Sequence, residues 1–330
     1  MVDPEFAAVL QKMGLVTPGT LLIMQPLTGG VASDIVLVEA PGRRFCVKRA
    51  LARLKVAAVW EAPISRNAAE AAWLRRASGW VPGAAPAILG EDVASGTFAM
   101  DYLPAETHPV WKEQLLAGKV NPAFAGAVGR SLATIHGQSA ADPSVPAAFA
   151  NDDTFEAIRI EPYLRATARA HTDLSDALER LALRTLSTKR ALVHGDVSPK
   201  NILCGPDGPV FLDAECAWFG DPAFDVAFCL NHLLLKGARE GGNKTDLACA
   251  FDAFLAAYFA WVDWEDGAEL ESRAAALLPA LFLARVDGKS PVEYLQTDRE
   301  KERVRTFARP LVASPLPRLS QISDLWRTTE

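Results

Sequence analysis

The chain of 330 residues has no uninterrupted apolar run of about 18 residues or more, the length a helix needs to cross a bilayer. Residues 1–30 also lack a basic segment followed by a continuous apolar stretch, so no secretory leader is read there. Positive charge is not in excess. The 34 Lys and Arg stand against 40 Asp and Glu, a net charge of −6, which excludes a surface built for nucleic acid. Cysteine is sparse and shows no pairing pattern. Cys46, Cys204, Cys216, Cys229 and Cys249 are odd in number, without CxxC spacing, and sit mostly in apolar contexts. They read as buried thiols of a reducing compartment, not as disulfides or zinc ligands. No internal repeat is present. What remains is a half-apolar chain long enough to bury a substantial core and to form two lobes. The expectation is a soluble cytoplasmic protein, monomer or homodimer, with no nucleic-acid or membrane partner.

Periodicity divides the chain. Leu21 to Pro26, Ile35 to Glu39, and Arg43 to Arg49 after the Pro41-Gly42 turn read as strands. Pro63 and Ser65 open an Ala-rich helix running to about Arg76, with Ser65 as its N-cap. Ile88 to Asp92 and Thr97 to Leu103 form a hairpin pattern that stops at Pro104. From about Asn121 onward helical spacing dominates, as in Ala127, Val128, Leu132 and Ile135 on one stripe. The predicted architecture is α+β and bilobal: a small β-rich N-lobe over residues 1–103 and a larger, mainly helical C-lobe over 104–330.

The strongest local signal is His194-Gly195-Asp196-Val197-Ser198-Pro199-Lys200-Asn201. An Asp introduced by His and followed five residues later by Asn is the catalytic-loop arrangement of kinases, with Gly in the place of Arg. The Asp reaches an acceptor hydroxyl while the Asn turns back on the same loop to hold Mg²⁺. Val210-Phe211-Leu212-Asp213-Ala214-Glu215 follows, a short apolar run ending on carboxylates at i and i+2. In an extended chain that spacing puts both on one side, where a hard cation takes oxygen ligands. A tight polar loop with Asp and Asn as backbone caps is the structural alternative.

These motifs, together with Gly220-Asp221-Pro222-Ala223-Phe224-Asp225, resemble the aminoglycoside phosphotransferase and choline kinase superfamily. Within it the nearest look is to methylthioribose kinases. Lys48-Arg49-Ala50-Leu51, a later Trp60 and Ala68-Ala69-Glu70-Ala71 look like their nucleotide-binding lysine and following helix. Asp213-Ala214-Glu215 is similar to their Asp-x-Glu metal motif. Trp111-Lys112-Glu113-Gln114-Leu115-Leu116 and Arg285-Val286-Asp287-Gly288 have loose counterparts there. The resemblance implies a protein-kinase-like fold and ATP-dependent phosphorylation of a small-molecule hydroxyl.

Roles can then be assigned as expectations. Asp196 orients the acceptor hydroxyl, Asn201, Asp213 and Glu215 hold Mg²⁺, and Lys48 meets the α/β-phosphates with Glu70 as its ion-pair partner. The Gly29-Gly30 turn with small Ser33 would let backbone N–H groups approach the phosphates, although taken alone such glycines more commonly make a plain hairpin turn. Asp101 and Leu103 would be the hinge that meets adenine. Lys200 either offsets γ-phosphate charge or extends to solvent. Trp218, Arg159, Tyr163 and Arg285 are the candidates for the acceptor pocket, because an aromatic face and a guanidinium suit a polyol. Asp225 matches the buried carboxylate that holds the catalytic loop, Asp221 reads as a turn cap, and His136 reads as a core histidine. A sugar-like or amino-alcohol acceptor is expected. An aminoglycoside-type antibiotic kinase and a non-catalytic pseudokinase that only binds are the alternatives.

Overall fold

A computed structural model describes residues 4–27, 33–51 and 66–329. Gly29 and Gly30, and the Trp60 to Ser65 stretch that would open the first long helix, lie outside the described residues. Helix α1 (Pro4–Lys12) precedes an antiparallel five-stranded sheet in the order β1-β2-β3-β5-β4. Its strands are β1 (Ile23–Pro26), β2 (Ser33–Ala40), β3 (Arg43–Ala50), β4 (Ile88–Asp92) and β5 (Thr97–Asp101), with α2 (Arg66–Trp80) between β3 and β4. The β2–β3 turn works because Gly42 sits at φ +79°, a left-handed conformation that costs glycine nothing.

Period-two alternation gives the two sheet faces different tasks. Val38, Phe45, Val47 and Ala99 pack with Phe6 and Leu10 of α1. Cys46, Phe98 and Met100 point the other way and join the main core with Ala71 and Leu74 of α2. Lys48, two residues on from Cys46, therefore lands on the α2 side, opposite Ile35 and Phe98 in register. The expected hairpin forms, but β5 ends at Asp101 rather than Leu103. The Asp101 amide donates to Ala87 O at 3.0 Å, and the chain then leaves the sheet ahead of Pro104.

The remainder is mainly helical, as its periodicity predicts. It runs through α3 (Trp111–Leu116), α4 (Pro122–Ala141), α5 (Val145–Ala148), α6 (Asp152–Phe155), a π-helical stretch at Glu156–Arg165, α7 (Ala166–Ala170) and α8 (Ser175–Ser187). Two short hairpin-like pairs follow, β6 (Ala191–Val193) with β9 (Trp218–Gly220), and β7 (Ile202–Gly205) with β8 (Gly208–Phe211). Helices α9 (Ala223–Ala238), α10 (Lys244–Phe259), α11 (Gly267–Asp287), α12 (Asp298–Ala313) and α13 (Leu319–Thr328) complete the chain. Among the described residues no helix is long and apolar enough to cross a membrane. The π-helix spends one residue more per turn than an α-helix, a geometry that recurs at functional sites.

Helix α4 starts where Asn121 accepts the Phe124 amide at 3.2 Å and Pro122 fits the first turn. It crosses α10 closely because Gly126 and Gly129, one turn apart, present no side chain. A Cβ at Gly129 would stand 2.5 Å from Phe254 O, whereas one at Gly126 would rest at 3.4 Å from Ala253 O. Gly129→Ala is therefore expected to destabilise the protein by about 1–3 kcal/mol through overpacking. Gly126→Ala should be neutral or slightly stabilising, since alanine is the better helix former. Thermal denaturation of the two variants checks this, and equal melting temperatures would contradict the close crossing.

Candidate active site

The loop His194–Asn201 leaves β6 and is fixed from below by Asp225, in the first turn of α9. Its Oδ2 accepts the His194 amide at 2.7 Å and its Oδ1 accepts the Gly195 amide at 2.8 Å. Asp225 is fully buried and also meets His136 Nε2 at 3.3 Å, while His136 Nδ1 contacts the Tyr258 hydroxyl at 2.8 Å. His136 is thus a satisfied core histidine. Asp221 caps the Ala223 amide at 3.0 Å and pairs with Arg273 at 3.1 Å. Gly195 has φ +80°, and a Cβ there would stand 2.7 Å from Cys216 Cβ. This explains glycine where the kinase pattern has arginine: neither the backbone nor the space admits a side chain.

The guanidinium on the loop comes instead from the π-helical stretch. Arg159 Nη2 pairs with Asp196 Oδ2 at 2.9 Å, and its Nε donates to Gly195 O. Lys200 Nζ approaches the same oxygen of Asp196 at 3.3 Å with half of its side chain in solvent. Burial alone would raise the Asp196 pKa, but Lys200, then Arg159, outweigh it and hold the carboxyl well below the usual range. The two cations thus favour the ionised form of Asp196, an acceptor of hydrogen bonds and a weakened base. Asn201 turns its Nδ2 to Asp196 O at 3.1 Å, which leaves its Oδ1 as an oxygen donor aimed away from that carbonyl.

Above the loop, Lys48 Nζ lies between Glu70 Oε2 at 2.6 Å and Asp213 Oδ1 at 2.5 Å. Burial works against the ammonium, but Asp213, followed by Glu70, prevails, and Lys48 stays charged with a raised pKa. Burial pushes Glu70 up to about 7 although Lys48 opposes it. Asp213 sits at φ +64°, the one non-glycine residue with positive φ among the described residues. Such a conformation costs roughly 1–3 kcal/mol in an ordinary loop and persists where the surroundings over-determine it. Glu215 pairs with Arg66 Nε at 3.0 Å. The buried hydroxyl of Ser33 has no partner among the described residues. Asp213 and Asn201 supply the hard oxygen donors that Mg²⁺ takes alongside phosphate and water, so the residues fit that ion.

The acceptor-pocket expectations need one correction. Trp218 does not line an open wall. It is fully buried, stacked on Phe155 at 4.2 Å between ring centres, and its Nε1 donates to Asp152 Oδ1 at 3.1 Å. Strand β9 pairs Trp218 with Val193, so the indole braces the strand that delivers the catalytic loop. Asp101 is likewise unable to offer its amide to adenine, having given it to Ala87 O. Arg285 and Tyr163 do meet, with Nη1 donating to the hydroxyl at 3.0 Å, and Arg159 lies over the Tyr163 ring at 5.9 Å. The structure adds His232 and Lys236 to this neighbourhood. Their place with Asp225 and Phe228 on one stripe of α9 was readable as a 3–4 spacing, but nothing in the sequence says which partners they face.

Comparison with known proteins places the whole arrangement. The profile of the phosphotransferase enzyme family matches residues 23–270. The chain belongs to that family. A methylthioribose kinase of Bacillus pumilus is 27% identical over 282 residues, which cover 76% of this chain and 70% of that protein. The methylthioribose kinase of Yersinia enterocolitica is 25% identical over 219 residues, 58% of this chain and 54% of its own length. The chain thus spans little more than half of the second relative. Among solved structures, amicoumacin kinase hAmiN in complex with AMP-PNP, Ca²⁺ and Ami superposes with a TM-score of 0.62 at 13% identity, covering 98% of this chain and 100% of that one. A choline/ethanolamine kinase family protein from Mesorhizobium loti gives 0.55 at 17% identity, covering 98% and 99%. At such identities the likeness establishes the fold: α+β and protein-kinase-like. The chain is a phosphotransferase of this family, and its curated relatives are small-molecule kinases.

The loop anchor generates a stability prediction. Asp225→Ala would leave two buried backbone N–H groups unpaired, at about 1–3 kcal/mol each. Urea denaturation should show a loss of about 2–5 kcal/mol. A loss below about 1 kcal/mol would mean the loop is held by something else.

Proposed function

We propose that the protein is an ATP-dependent kinase that moves the γ-phosphate onto a hydroxyl of a small molecule, with residues 1–103 holding the nucleotide and 104–330 supplying the catalytic loop and acceptor pocket. The observation that supports this best is that three separate stretches of sequence meet here: Lys48 pairs with Asp213, Asn201 bonds to Asp196 O, and the two sets are joined where the Leu212 amide donates to Asn201 O at 2.9 Å.

In this reading Lys48 neutralises the α/β-phosphates, with Glu70 keeping it in place and Ser33 Oγ donating to a phosphate oxygen. Asn201 Oδ1 and Asp213 hold Mg²⁺, and Glu215 orients Arg66 beside it. A bound Mg²⁺ supplies charge neutralisation at the β- and γ-phosphates. Asp196 accepts a hydrogen bond from the acceptor hydroxyl and aims its oxygen at the γ-phosphorus. The new O–P bond forms as the bond from that phosphorus to the bridging oxygen of ADP breaks, and the hydroxyl proton leaves through Asp196 to water. Because Asp196 is a weak base, its contribution is alignment more than proton abstraction, the kind of catalysis phosphoryl transfer rewards. Lys200 reaches the same carboxylate and can follow charge onto the transferring group. Leu103 and the segment around it would meet the adenine.

The acceptor is a small hydroxylated metabolite, with the pair Arg285–Tyr163 facing it. A guanidinium forks onto polyol or acid oxygens and repels a polycation, so the antibiotic-kinase alternative is the weaker one. A non-catalytic binding role has no physical need for Lys48, Asp196, Asn201 and Asp213 together.

Asp196→Asn should retain ATP binding and lose about 10²–10⁴-fold in kcat. Near-normal turnover by that variant, measured by coupled ADP release during a screen of sugars, amino alcohols and aminoglycosides, would remove Asp196 from the mechanism. Asp213→Ala should abolish turnover while leaving the fold intact, and EDTA should abolish turnover of the wild type. Full activity in the chelator would refute the metal requirement.

A further inference from the structure

One face of α9 continues past the loop anchor. Asp225, Phe228, His232 and Lys236 follow at intervals of three and four residues and so share a side of the helix. Phe228 packs against the Tyr163 ring at 5.5 Å and the His232 ring at 5.4 Å, and the Arg159 guanidinium lies 6.0 Å over it. Tyr294 brings its hydroxyl to His232 Nδ1 at 3.5 Å and its ring to within 5.1 Å of Lys236 Nζ. Arg285 closes the same neighbourhood through Tyr163 and through Ser290 Oγ at 2.9 Å. The wall is continuous with Asp196, whose carboxylate is near enough to act on His232 electrostatically.

Its charges do not balance. Arg159 and Lys200 both serve Asp196, and Lys112 is held by Glu293. Arg285 and Lys236 have no carboxylate within ion-pair distance among the described residues. Lys236 is only 3% exposed, and its ammonium donates to a single carbonyl, His232 O at 3.3 Å. Placement in the last turn of a helix eases that burial but does not cancel it. Burial, then Lys112, brings the Lys236 pKa down to about 7. Two further donors in the cluster are unspent: His232 Nε2 and Arg285 Nε are buried and without a partner among the described residues. In the tautomer where Nδ1 accepts from the Tyr294 hydroxyl, the proton of the neutral imidazole is on Nε2 and free to donate. Arg285 and Lys236 without a carboxylate partner, together with the idle Nε2 of His232 and Nε of Arg285, gather donors on one wall that an anion would satisfy.

We propose that this wall binds an acid group on the acceptor, so that the compound phosphorylated is a hydroxy acid, its carboxylate held by Arg285, His232 Nε2–H and Lys236 while its hydroxyl reaches Asp196. The inference rests on the kinase reading above and narrows it from any small alcohol to an anionic one. It also sets this chain apart from a kinase for choline or an aminoglycoside, whose positive charge this wall would repel.

The test is calorimetric binding, to the protein loaded with AMP-PNP and Mg²⁺, of two matched pairs: ribonate with ribitol, and glycerate with glycerol, with choline as the cation. The acids should bind at least about tenfold tighter than their polyols, a ratio worth about 1.4 kcal/mol. Lys236→Met keeps the volume and removes a buried charge, so it should fold. It and Arg285→Gln should each reduce the acids' affinity to that of the polyols. Acids that bind no better than polyols or choline would overturn the proposal, as would either variant retaining the preference. ADP release with ATP in place of AMP-PNP separates the two claims. Tight acid binding without phosphorylation would keep the subsite and sink the kinase reading. Phosphorylation of polyols or choline with no advantage for acids would do the reverse.

Discussion

The ammonium of Lys48, buried between Glu70 and Asp213, ties together parts of the chain that are 22 and 165 residues apart. Taking an amine out of water costs several kcal/mol unless carboxylates meet it with good geometry. The sheet, helix α2 and the segment after β8 therefore have to arrive in one register. Strand β3 sets the Lys48 side, α2 presents Glu70 from its buried face, and the strained backbone at Asp213 points the second carboxylate inward. With nucleotide bound, phosphate oxygens would take the place that Asp213 occupies on Lys48, and Asp213 would turn to the metal. In the proposed reading the same ion pair assembles the cleft and yields to the nucleotide.

A second buried carboxylate fixes the floor. Asp225 holds two consecutive amides of the catalytic loop, and His136 with Tyr258 holds Asp225. Gly195 lets the loop pass over Cys216, and the arginine excluded there is replaced by Arg159 from the π-helical stretch. Lys200 and Arg159 therefore favour the charged form of Asp196 and fix its position. Helix α9 starts at this anchor and carries Phe228, His232 and Lys236 outward, so the piece that fixes the catalytic loop also forms the wall beside it.

Much of this was written in local sequence. The strands up to Asp101 were legible because alternation and Gly or Pro turns act over a few residues, and helix α4 because its apolar stripe repeats. The course of the His194–Asn201 loop was legible because the spacing Asp196–Asn201 belongs to one continuous loop. Side chains that reach the site from separate helices were not. Arg159 was expected in the acceptor pocket, but the π-helical turn aims it at Asp196, and no spacing rule foretells that. Trp218 follows the metal motif in sequence, yet pairing of β9 with β6 turns it into the core against Phe155. Nothing in the sequence singles out Lys236, since burial and the lack of a carboxylate neighbour exist only once α11 and the Tyr294 segment have packed.

Phosphorus NMR is the most direct test of the central claim that Lys48 and Asp196 line up ATP and a hydroxyl for transfer. The purified protein would be incubated with ATP, Mg²⁺ and a mixture of hydroxylated acids, polyols and amino alcohols. A phosphomonoester resonance should grow in step with ADP, and Lys48→Met should lose both. If ATP were unchanged, if only inorganic phosphate appeared, or if the Lys48 variant gave the same product at the same rate, the account would be contradicted.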